Sequence, residues 1–458
     1  MSTEIINDEE EGGKGFARLP MRDKDLPQIV RQLVSNAPVK FKMPTFIACM
    51  APLGCLATRL RFHYPFDQDP SAVLLQVIIC SEQSGGKSFA RNVESVIMAR
   101  QKQRDSEQRR LEQEYRELKQ KMSKNDSLPD PPKTAVVCCP ISISIAQLVK
   151  RCDAPVRLYG APLTLWTFTE ELATATETNK RAFSNIKSIM RTAYDLGSEY
   201  GVDYLSDTSY SATVDILYNT MYCTTPSALD EYMDKKAVEG GNITRVIVCD
   251  LGTQLGDEAP IFKRMTQEQH DTIDKYISRM MADTYQEDGG ICPEKYIDMS
   301  WLDKDIRAWC DDKSLESVKS GSTALGTFFK RSSKTAQRVA ALCYYLYQLE
   351  IEQPDSRMTE TKARNSTRKL YHCMADYILD GMMRKWGKRF EELQAKRLEE
   401  TRKSQSNLFK SLPDQFNRTL LRESIKRMEL ITPDWVFLSK WKARGIIRKI
   451  NDDQFIKQ

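Results

Sequence analysis

The feature that most constrains this chain is an apolar segment that runs directly into a glycine-rich loop. Residues 72–80 read AVLLQVIIC, a run rich in β-branched residues and long enough for a buried strand. The loop SEQSGGKS (residues 81–88) follows, and residues 89–104 have the pattern of a helix. A strand, a glycine-rich loop and a helix in this order direct backbone N–H groups and a helix N-terminus at an anion. The unit therefore predicts a phosphate-binding site.

The end of this loop supplies the side chains that a nucleoside triphosphate requires. Lys87 is predicted to neutralise the β- and γ-phosphates, and the Ser88 hydroxyl to complete the coordination of Mg²⁺. We therefore expect ATP and Mg²⁺ as cofactors. The residues expected to contact them here are Ser84, Gly85, Gly86, Lys87, Ser88 and Phe89. The loop departs from the GxxxxGK[ST] pattern at its first position, where Ser81 stands, and the alternative is a turn that happens to read GGKS.

Hydrolysis also needs a carboxylate at the tip of a neighbouring strand, which holds Mg²⁺ through water and polarises the attacking water. Glu170 and Glu171 follow the strand-like residues 163–169, and Asp250 follows the apolar residues 246–249. We favour the glutamates, because in RecA-like sheets one strand separates the phosphate loop from this carboxylate. Asp250 is the alternative metal residue, and acids at a helix start also satisfy exposed N–H groups without any catalytic role.

Two further positions are candidates for sensing or completing the site. A polar residue at the tip of the strand 213–224 is placed to sense the γ-phosphate, which indicates Thr224 or Thr225, or Asn219 if that strand ends earlier. Capping of the following helix explains these threonines equally well. Arg245 follows a Gly-Gly turn and precedes a strand, a position from which an arginine finger reaches a neighbouring subunit. The alternative is an ordinary surface arginine.

The fold class that this alternation of strands and helices predicts is α/β, with a mainly parallel sheet and helices on both faces, and the phosphate loop adds the expectation of a P-loop NTPase. The strand-like segments are residues 72–80, 134–140, 163–169, 213–224 and 245–251, with helical segments between them. The predicted regions are a disordered acidic tail (1–14), a helical region (15–70), the core (71–265), a helical region (266–380) and a basic helical region (381–458). Residues 433–455 resemble a helix followed by a small hairpin, as at the end of a winged helix.

A charged segment interrupts the predicted core. Residues 101–124 contain thirteen charged residues, with Leu111, Tyr115, Leu118 and Met122 at 4-3-4 spacing. Two heptads are too short for a stable coiled-coil dimer, so the pattern favours a projecting hairpin arm.

Composition narrows the class of protein further. The chain has 458 residues, 41% apolar and 29% charged, as is typical of soluble globular proteins. Its twelve cysteines include no CxxC pair and it has three histidines, which argues against zinc sites and Ser-His-Asp chemistry. We find no signal peptide and no uninterrupted apolar run of membrane-spanning length, so we expect a cytoplasmic protein with no membrane association.

Positive charge is concentrated near the C-terminus. Residues 381–458 contain 19 Lys/Arg against 10 Asp/Glu, whereas residues 1–380 contain 49 against 53. Together with Trp386, Trp435 and Trp441, this surplus predicts a surface for single-stranded DNA, where lysines and arginines contact phosphates and tryptophans stack on bases. The alternative is a set of solvated helices whose tryptophans lie in a core.

The chain resembles an uncharacterised P-loop family of plasmids, phages and integrated mobile elements, mainly of Bacteroidetes, often found beside primase or VirE-like segments. Four motifs within residues 20–350 carry the resemblance: ICSEQSGGKS, the strand end Thr-Glu-Glu-Leu, ILYNTMYCTTPSAL and GGNITRVIVC. It departs from the family at Ser81 and at Glu170-Glu171, where an Asp-Glu pair is more usual. The resemblance implies a P-loop NTPase with a RecA-like or helicase-like ATPase core that serves replication or mobilisation of such an element.

The expected function is therefore an Mg²⁺-dependent ATPase of helicase or DNA-translocase type, active as a homo-oligomer in which Arg245 acts in trans. An element-encoded protein is the expected partner of the arm at 101–124. The alternative is a nucleotide-gated scaffold or regulator that binds ATP and hydrolyses little of it.

Overall fold

The computed structural model describes Leu19 and residues 21–122, 129–172, 187–203, 211–252 and 258–458, apart from the side chains of residues 398–406. The chain divides into two compact units between Gly387 and Lys388. We call the larger one the core unit and residues 388–458 the C-terminal unit.

The core unit is a mixed α/β structure. Its strands are β1 (Leu60–His63), β2 (Pro70–Ser71), β3 (Gln76–Cys80), β4 (Leu165–Thr169), β5 (Glu199–Val202), β6 (Ala212–Asp215), β7 (Tyr218–Thr224), β8 (Ile247–Asp250) and β9 (Lys295–Tyr296). Its helices are α1 (Gln28–Val34), α2 (Lys42–Leu56), α3 (Phe89–Ile97), α4 (Ala99–Lys121), α5 (Ile145–Tyr159), α6 (Pro226–Tyr232), α7 (Lys235–Glu239), α8 (Gln267–Ala282), α9 (Asp303–Ser320), α10 (Thr323–Ile351) and α11 (Glu360–Met382). Residues 187–192 are also helical.

A parallel sheet with the order β4-β7-β3-β8 lies at the centre of this unit. Every residue of β3 and of β7 is buried, as expected for central strands of a parallel sheet covered on both faces, although β7 includes the polar residues Asn219 and Thr220. In the register of the sheet Cys80 lies beside both Thr224 and Asp250, so three strands end together. The prediction of an α/β fold with a parallel sheet is confirmed.

Two of the predicted strands differ from the structure. Residues 134–140 form only one parallel bridge, between Cys138 and Trp166, at the outer edge of β4. The segment 213–224 divides into β6, which pairs with β5, and β7, which enters the central sheet. Ile216 and Leu217 lie between the two strands and are buried. The sequence is therefore apolar across the boundary between β6 and β7, and its composition gives no sign that one strand ends there.

Helix α2 is the buried helix of this unit. Residues 39–56 are long and apolar enough to cross a membrane, with a mean hydropathy of 1.2, yet 83% of this stretch is buried inside the protein. In the described part of the chain no other helix passes that criterion. Its contacts with α3 and β7 therefore account for its apolar composition.

The residues of the predicted charged arm that the structure describes lie in the single helix α4, whose first half packs against the core unit instead of projecting from it. Asp105 in its first half is buried and accepts hydrogen bonds from the backbone N–H groups of Val137 and Cys138. Further along, Glu112 forms an ion pair with Arg151 of α5. The helix thus lies against its own unit, although Leu111 and Leu118 are exposed.

The C-terminal unit contains α12 (Lys388–Ser411), β10 (Gln415–Asn417), α13 (Arg418–Arg427), α14 (Asp434–Ala443), β11 (Ile447–Lys449) and β12 (Gln454–Lys457). The strands form an antiparallel sheet with the order β10-β12-β11. Its core includes Phe416, Phe437, Trp441 and Phe455. The predicted helix followed by a hairpin at residues 433–455 is confirmed.

Candidate phosphate-binding site

The four parallel strands have their carboxyl ends on the same side of the sheet, and the direction in which successive strands are added changes at β3. From β3 the chain passes to the far strand β4, returns through β7, and then crosses β3 to form β8. Ligands of open parallel sheets bind at such a reversal, beyond the carboxyl ends of the strands. The loop of residues 81–88 begins at this point.

Backbone hydrogen bonds fix the start of the loop between its two neighbouring strands. The N–H of Ser81 donates to the carbonyl oxygen of Thr224 at 3.1 Å, and the N–H of Leu251 donates to that of Cys80 at 2.8 Å. Ser84 and Gly86 then adopt left-handed backbone angles, with φ of 62° and 81°. Alternation of left- and right-handed residues turns successive N–H groups toward one side, which makes a concave site for an anion.

The loop presents unpaired donors and positive charge. Among the described residues, the backbone N–H groups of residues 86–89 donate to no acceptor, and the first turn of α3 contains no acidic side chain. The ammonium of Lys87 donates to the carbonyl oxygens of Ser81 at 2.8 Å and Glu82 at 3.1 Å, and it pairs with no described carboxylate. Ser88 is exposed and its hydroxyl makes no described hydrogen bond. This donor set fits a polyphosphate.

Glu170 lies at the tip of β4, one strand beyond β7, and is tied to the helix that follows the loop. Its carboxylate pairs with Arg91 of α3 at 3.2 Å. Burial raises the pKa of the Cys223 thiol in β7 to about 12, opposed by the charge of Lys87 and reinforced by that of Glu170. Glu170 directly follows Thr169, the register partner of Tyr222, so the backbone that carries this carboxylate lies near the carboxyl end of β7. Glu171, the next residue, is exposed.

Helix α3 and strand β4 are held together beneath these groups. The carboxylate of Glu94 is buried in α3 and accepts a hydrogen bond from the indole N–H of Trp166 at 3.0 Å. Lys102 of α4 pairs with the same carboxylate. These contacts fix the relative positions of the loop helix and of the strand that carries Glu170.

The rival carboxylate, Asp250, lies on the other side of the loop strand. It is the register partner of Cys80, and its carboxylate is 3.7 Å from the ammonium of Lys385. Burial raises the pKa of the Cys80 thiol to about 12; Lys385 and Lys87 oppose this rise. No local pattern in the sequence marks Lys385 as a site residue, because only the tertiary fold brings this distant residue to the end of the loop strand.

The threonines predicted to sense the γ-phosphate lie at the end of β7, beside the loop. The Thr225 hydroxyl accepts a hydrogen bond from the N–H of Ala228 and caps α6, as the capping interpretation predicts. Thr224 is 2% exposed. Asn219 lies at the start of β7, where its side chain accepts from the N–H of Leu75 at 2.9 Å and donates to the Ala51 carbonyl, so the interpretation of Asn219 as a sensor is wrong.

Arg245 does not join the site within one chain. It precedes the amino end of β8, whereas the loop lies at the carboxyl ends of the strands. One of its Nη atoms donates to the carbonyl oxygen of Gly241 at 2.8 Å, and its guanidinium carbon lies 5.6 Å from the centre of the Tyr194 ring. Its action in trans stays a prediction.

The segment after β8 returns to the loop, which the sequence analysis also missed. A Cβ atom on Gly86 would lie 2.7 Å from Cγ of Pro260 and 3.1 Å from Cζ of Phe41. The rings of Phe41, Phe89 and Phe262 form a cluster with centroid separations of 5.4 to 5.7 Å. Phe89, predicted to contact the nucleotide, is 2% exposed, so only its backbone N–H faces the loop's donor set.

No protein-family model matches the chain, and no curated protein matches its sequence. The resemblance to the mobile-element family therefore stays a prediction, and the case for a function depends on the site itself. Among the described residues no three His, Cys, Asp or Glu side chains cluster to hold a metal ion. A magnesium ion bound through phosphates, water and one hydroxyl needs no such cluster.

Proposed function

We propose that the chain is a P-loop ATPase with a RecA-like core. The observation that carries this proposal is the loop at the sheet's reversal point. Within the described part of the chain, the N–H groups of residues 86–89 have no acceptor and Lys87 is held only by carbonyl oxygens. Backbone N–H groups at a helix start together with an unpaired lysine are the chemistry that binds a triphosphate. The order β4-β7-β3-β8 supports the RecA-like assignment, because one strand separates Glu170 from the loop strand.

Each residue has a defined task in this proposal. Lys87 exchanges the carbonyls of Ser81 and Glu82 for phosphate oxygens, and the N–H groups of residues 86–89 hold those oxygens in place. Ser88 provides a hydroxyl ligand for Mg²⁺, and Glu170 or Glu171 orients water. When bound, Mg-ATP supplies the phosphoanhydride bond that is hydrolysed.

The partner proposed for the C-terminal unit is DNA. Its elements follow the winged-helix order. Helix α14, the turn after it and β11 carry Lys440, Arg444 and Arg448, respectively, which are exposed and pair with no described acid. A ten-residue helix of roughly 15 Å fits the major groove of duplex DNA. Base stacking is less well supported, because Trp386 and Trp441 are 1% and 5% exposed and only Trp435, at 62%, is accessible.

A homo-oligomer belongs to the same proposal. Arg245 lies at the opposite edge of the sheet from the loop, so it can assist hydrolysis only at the site of a neighbouring copy. The exposed Leu111 and Leu118 of α4 offer a surface for the protein partner predicted for residues 101–124.

The test is Mg²⁺-dependent ATP turnover, measured without DNA, with single-stranded DNA and with duplex DNA. A motor is expected to turn over ATP faster when DNA is present. If the chain binds ATP but hydrolyses it slowly, at a rate that DNA does not change, the result would favour the nucleotide-gated scaffold instead. Absence of ATP binding by the full chain would overturn the ATPase proposal.

A further inference from the structure

Helices α4 and α5 border a cavity of about 630 Å³, which we call the α4–α5 groove. On α4 its lining residues have the spacing i, i+3, i+4, i+7 from Glu112 to Lys119, and those of α5 follow the same spacing from Gln147 to Leu158. This spacing places side chains on one face of a helix, so two helix faces form two sides of the groove. The segment between the helices contributes a third side, which begins at Pro131.

Positive charge is in excess among the side chains that line the α4–α5 groove. Five of them are cationic, namely Arg116, Lys119, Lys150, Arg151 and Arg157. Among the described lining residues the one carboxylate is that of Glu112, which pairs with Arg151 and, at 3.5 Å, with Arg116. Arg157 pairs with Asp153, which does not line the groove. Five cations against these two carboxylates leave a balance of +3.

The cations differ in how strongly they are bound within the protein. The side chain of Arg151 is 9% exposed and donates to both oxygens of Glu112, so it is a structural part of the groove. Lys119 is exposed on α4 and, within the ranges that the structure describes, pairs with no carboxylate. Lys150 is exposed on α5. A recess bordered by protein of low dielectric constant concentrates the potential of such charges, so the groove attracts an anion.

Apolar surface lies among these charges. Tyr115, Pro132 and Leu158 line the groove and are half-buried, and the alkyl stems of the lysines and arginines add to their surface. An occupant with charge alone would leave this surface in water, so the best match carries carboxylates and apolar side chains together. Single-stranded nucleic acid matches less well, because its bases stack on successive aromatic rings and Tyr115 is the single aromatic among the described lining residues.

We infer that the α4–α5 groove binds an acidic segment of another protein, in which apolar side chains are interspersed among carboxylates. This inference rests on the protein partner proposed above for residues 101–124 and names its chemistry, but it does not depend on ATP binding. Lys119 and Lys150 contact carboxylates of the segment from the two helices, and an apolar side chain of the segment covers Tyr115 and Leu158. Because the ion pairs are exposed to solvent, binding weakens as salt is added.

The experiment measures the binding of fluorescent peptides to the full chain by fluorescence anisotropy. One peptide consists of three repeats of Glu-Glu-Leu, and the matched peptide has glutamine in place of every glutamate. We expect the acidic peptide to bind at least about tenfold more tightly than the glutamine peptide, because several ion pairs of modest strength add together. A short oligothymidylate is the nucleic-acid probe and is expected to bind more weakly at this groove.

Two lysine variants test the position of the site. Lys119→Glu combined with Lys150→Glu reverses one charge on each helix and is expected to weaken binding of the acidic peptide at least about tenfold. The control, Lys319→Glu combined with Lys369→Glu, makes the same change in net charge at exposed lysines of α9 and α11 and should weaken binding less than about twofold. If the reversal lowers the melting temperature, Lys119→Gln combined with Lys150→Gln replaces it and should weaken binding roughly fivefold.

The apolar part of the site has its own variant. Leu158→Ser is expected to weaken binding of the acidic peptide roughly three- to tenfold, because apolar surface covered by the peptide is lost. The control Leu315→Ser removes a side chain that is 53% exposed on α9 and should leave the affinity unchanged. An unchanged affinity in Leu158→Ser would place the peptide outside the groove and overturn the inference.

Three further results would overturn the inference. Equal weakening in the groove and control lysine variants would show that the peptide responds only to net charge. Oligothymidylate that binds more tightly than the acidic peptide, and that the groove variants weaken in the same way, would make the groove a nucleic-acid surface. A chain that binds Mg-ATP but does not prefer the acidic peptide would overturn this inference alone, whereas a chain that binds the acidic peptide as expected and no Mg-ATP would support it and overturn the ATPase proposal.

Discussion

At the scale of single residues, two loop positions share a left-handed backbone and differ in their surroundings. Gly86 has a φ of 81° and Pro260 lies 2.7 Å from where its Cβ would be, whereas Ser84, with a φ of 62°, is exposed. Gly86→Ala adds both a clash and about 1–2 kcal/mol of backbone strain, so we expect a less stable protein that binds ATP poorly. Ser84→Gly relieves strain, and we expect stability within about 1 kcal/mol of wild type and normal binding.

Urea unfolding and ATP titration of the two variants check this pair. Ser84→Gly is the matched control, because it changes the same loop without inserting an atom. Normal ATP binding by Gly86→Ala would mean that the described loop conformation is not the one that binds phosphate.

The carboxylates at the sheet edge can be ranked by single substitutions. Glu171→Gln is expected to bind ATP and to hydrolyse it at least about tenfold more slowly, because the charge that polarises water is lost while the shape is kept. Glu170→Gln is expected to slow hydrolysis as well, with little loss of stability, since its ion pair with Arg91 is exposed. Asp250→Asn is expected to have a milder effect on turnover.

Turnover and ATP affinity of these three variants give the ranking. If Asp250→Asn is the slowest enzyme and both glutamine variants turn over ATP normally, the metal-holding carboxylate belongs to β8 and the predicted role of β4 is wrong.

At the scale of elements, the contact between α4 and α5 replaces the arm that the sequence predicts. Burial alone would raise the pKa of Glu112, but hydrogen bonds from Arg151 and Thr134 and the nearby arginine charges outweigh it and lower that pKa. The Glu112 side chain is 14% exposed and that of Arg151 is 9% exposed. Removing the charge leaves the buried guanidinium of Arg151 without its carboxylate, so Glu112→Gln is expected to lower the free energy of unfolding by about 3 kcal/mol at pH 7.

The pH dependence of this effect has a definite sign. An acid whose pKa is lowered by folding contributes stability above its unfolded pKa, and this contribution is lost as the pH falls through the lowered pKa. The difference in the free energy of unfolding between wild type and Glu112→Gln, measured by urea unfolding, should therefore become smaller as the pH falls from 5 to 3. Glu114→Gln, which breaks an exposed pair with Arg110 on the same helix, is the control and is expected to cost less than about 1 kcal/mol. Equal stability of the Glu112→Gln variant and wild type at pH 7 would contradict the packed position of α4.

The same elements show what the sequence can and cannot predict. Strands β3, β4, β7 and β8 lie in segments that are mostly apolar or β-branched. Burial on both faces of a parallel sheet favours that composition, so their prediction succeeds. The phosphate loop is predictable for a different reason, because the residues that define it are consecutive in the sequence. The charge pattern of α4 fits both a solvated arm and a helix with one buried face, and only the partners Val137, Cys138 and Arg151 decide between them. Lys385 and Phe262 reach the loop through tertiary folding alone.

At the scale of the whole molecule, the boundary between the units decides where the chain can be divided. A cut before residue 388 keeps Trp386, which is 1% exposed, and Lys385 in the core unit, whereas a cut at residue 381 removes both. We expect residues 1–387 to bind ATP like the full chain. We also expect them to lose most of the affinity for DNA, because the C-terminal unit has 17 Lys/Arg against 10 Asp/Glu.

A salt titration of DNA binding measures this directly. Each phosphate contact with duplex DNA contributes about 0.9 to the slope of log affinity against log salt, so replacing Lys440, Lys442 and Arg444 together by serine should reduce the slope by about 3. The control substitutes Lys319, Lys330 and Lys369 of the core unit in the same way and should leave the slope unchanged. An unchanged slope in the first variant would assign DNA binding, if any is measured, to another surface.

The central claim is that the loop ending in Lys87 and Ser88 binds the phosphates of ATP. It is tested most directly by calorimetric titration of Mg-ATP into wild type, Lys87→Ala and the control Lys319→Ala, which removes an exposed lysine of α9. We expect wild type and Lys319→Ala to bind alike. Lys87→Ala, with an unchanged melting temperature in the absence of nucleotide, is expected to bind roughly 10- to 100-fold more weakly because a charge-assisted contact to phosphate is lost. A Lys87→Ala variant that binds Mg-ATP as tightly as wild type would contradict the account.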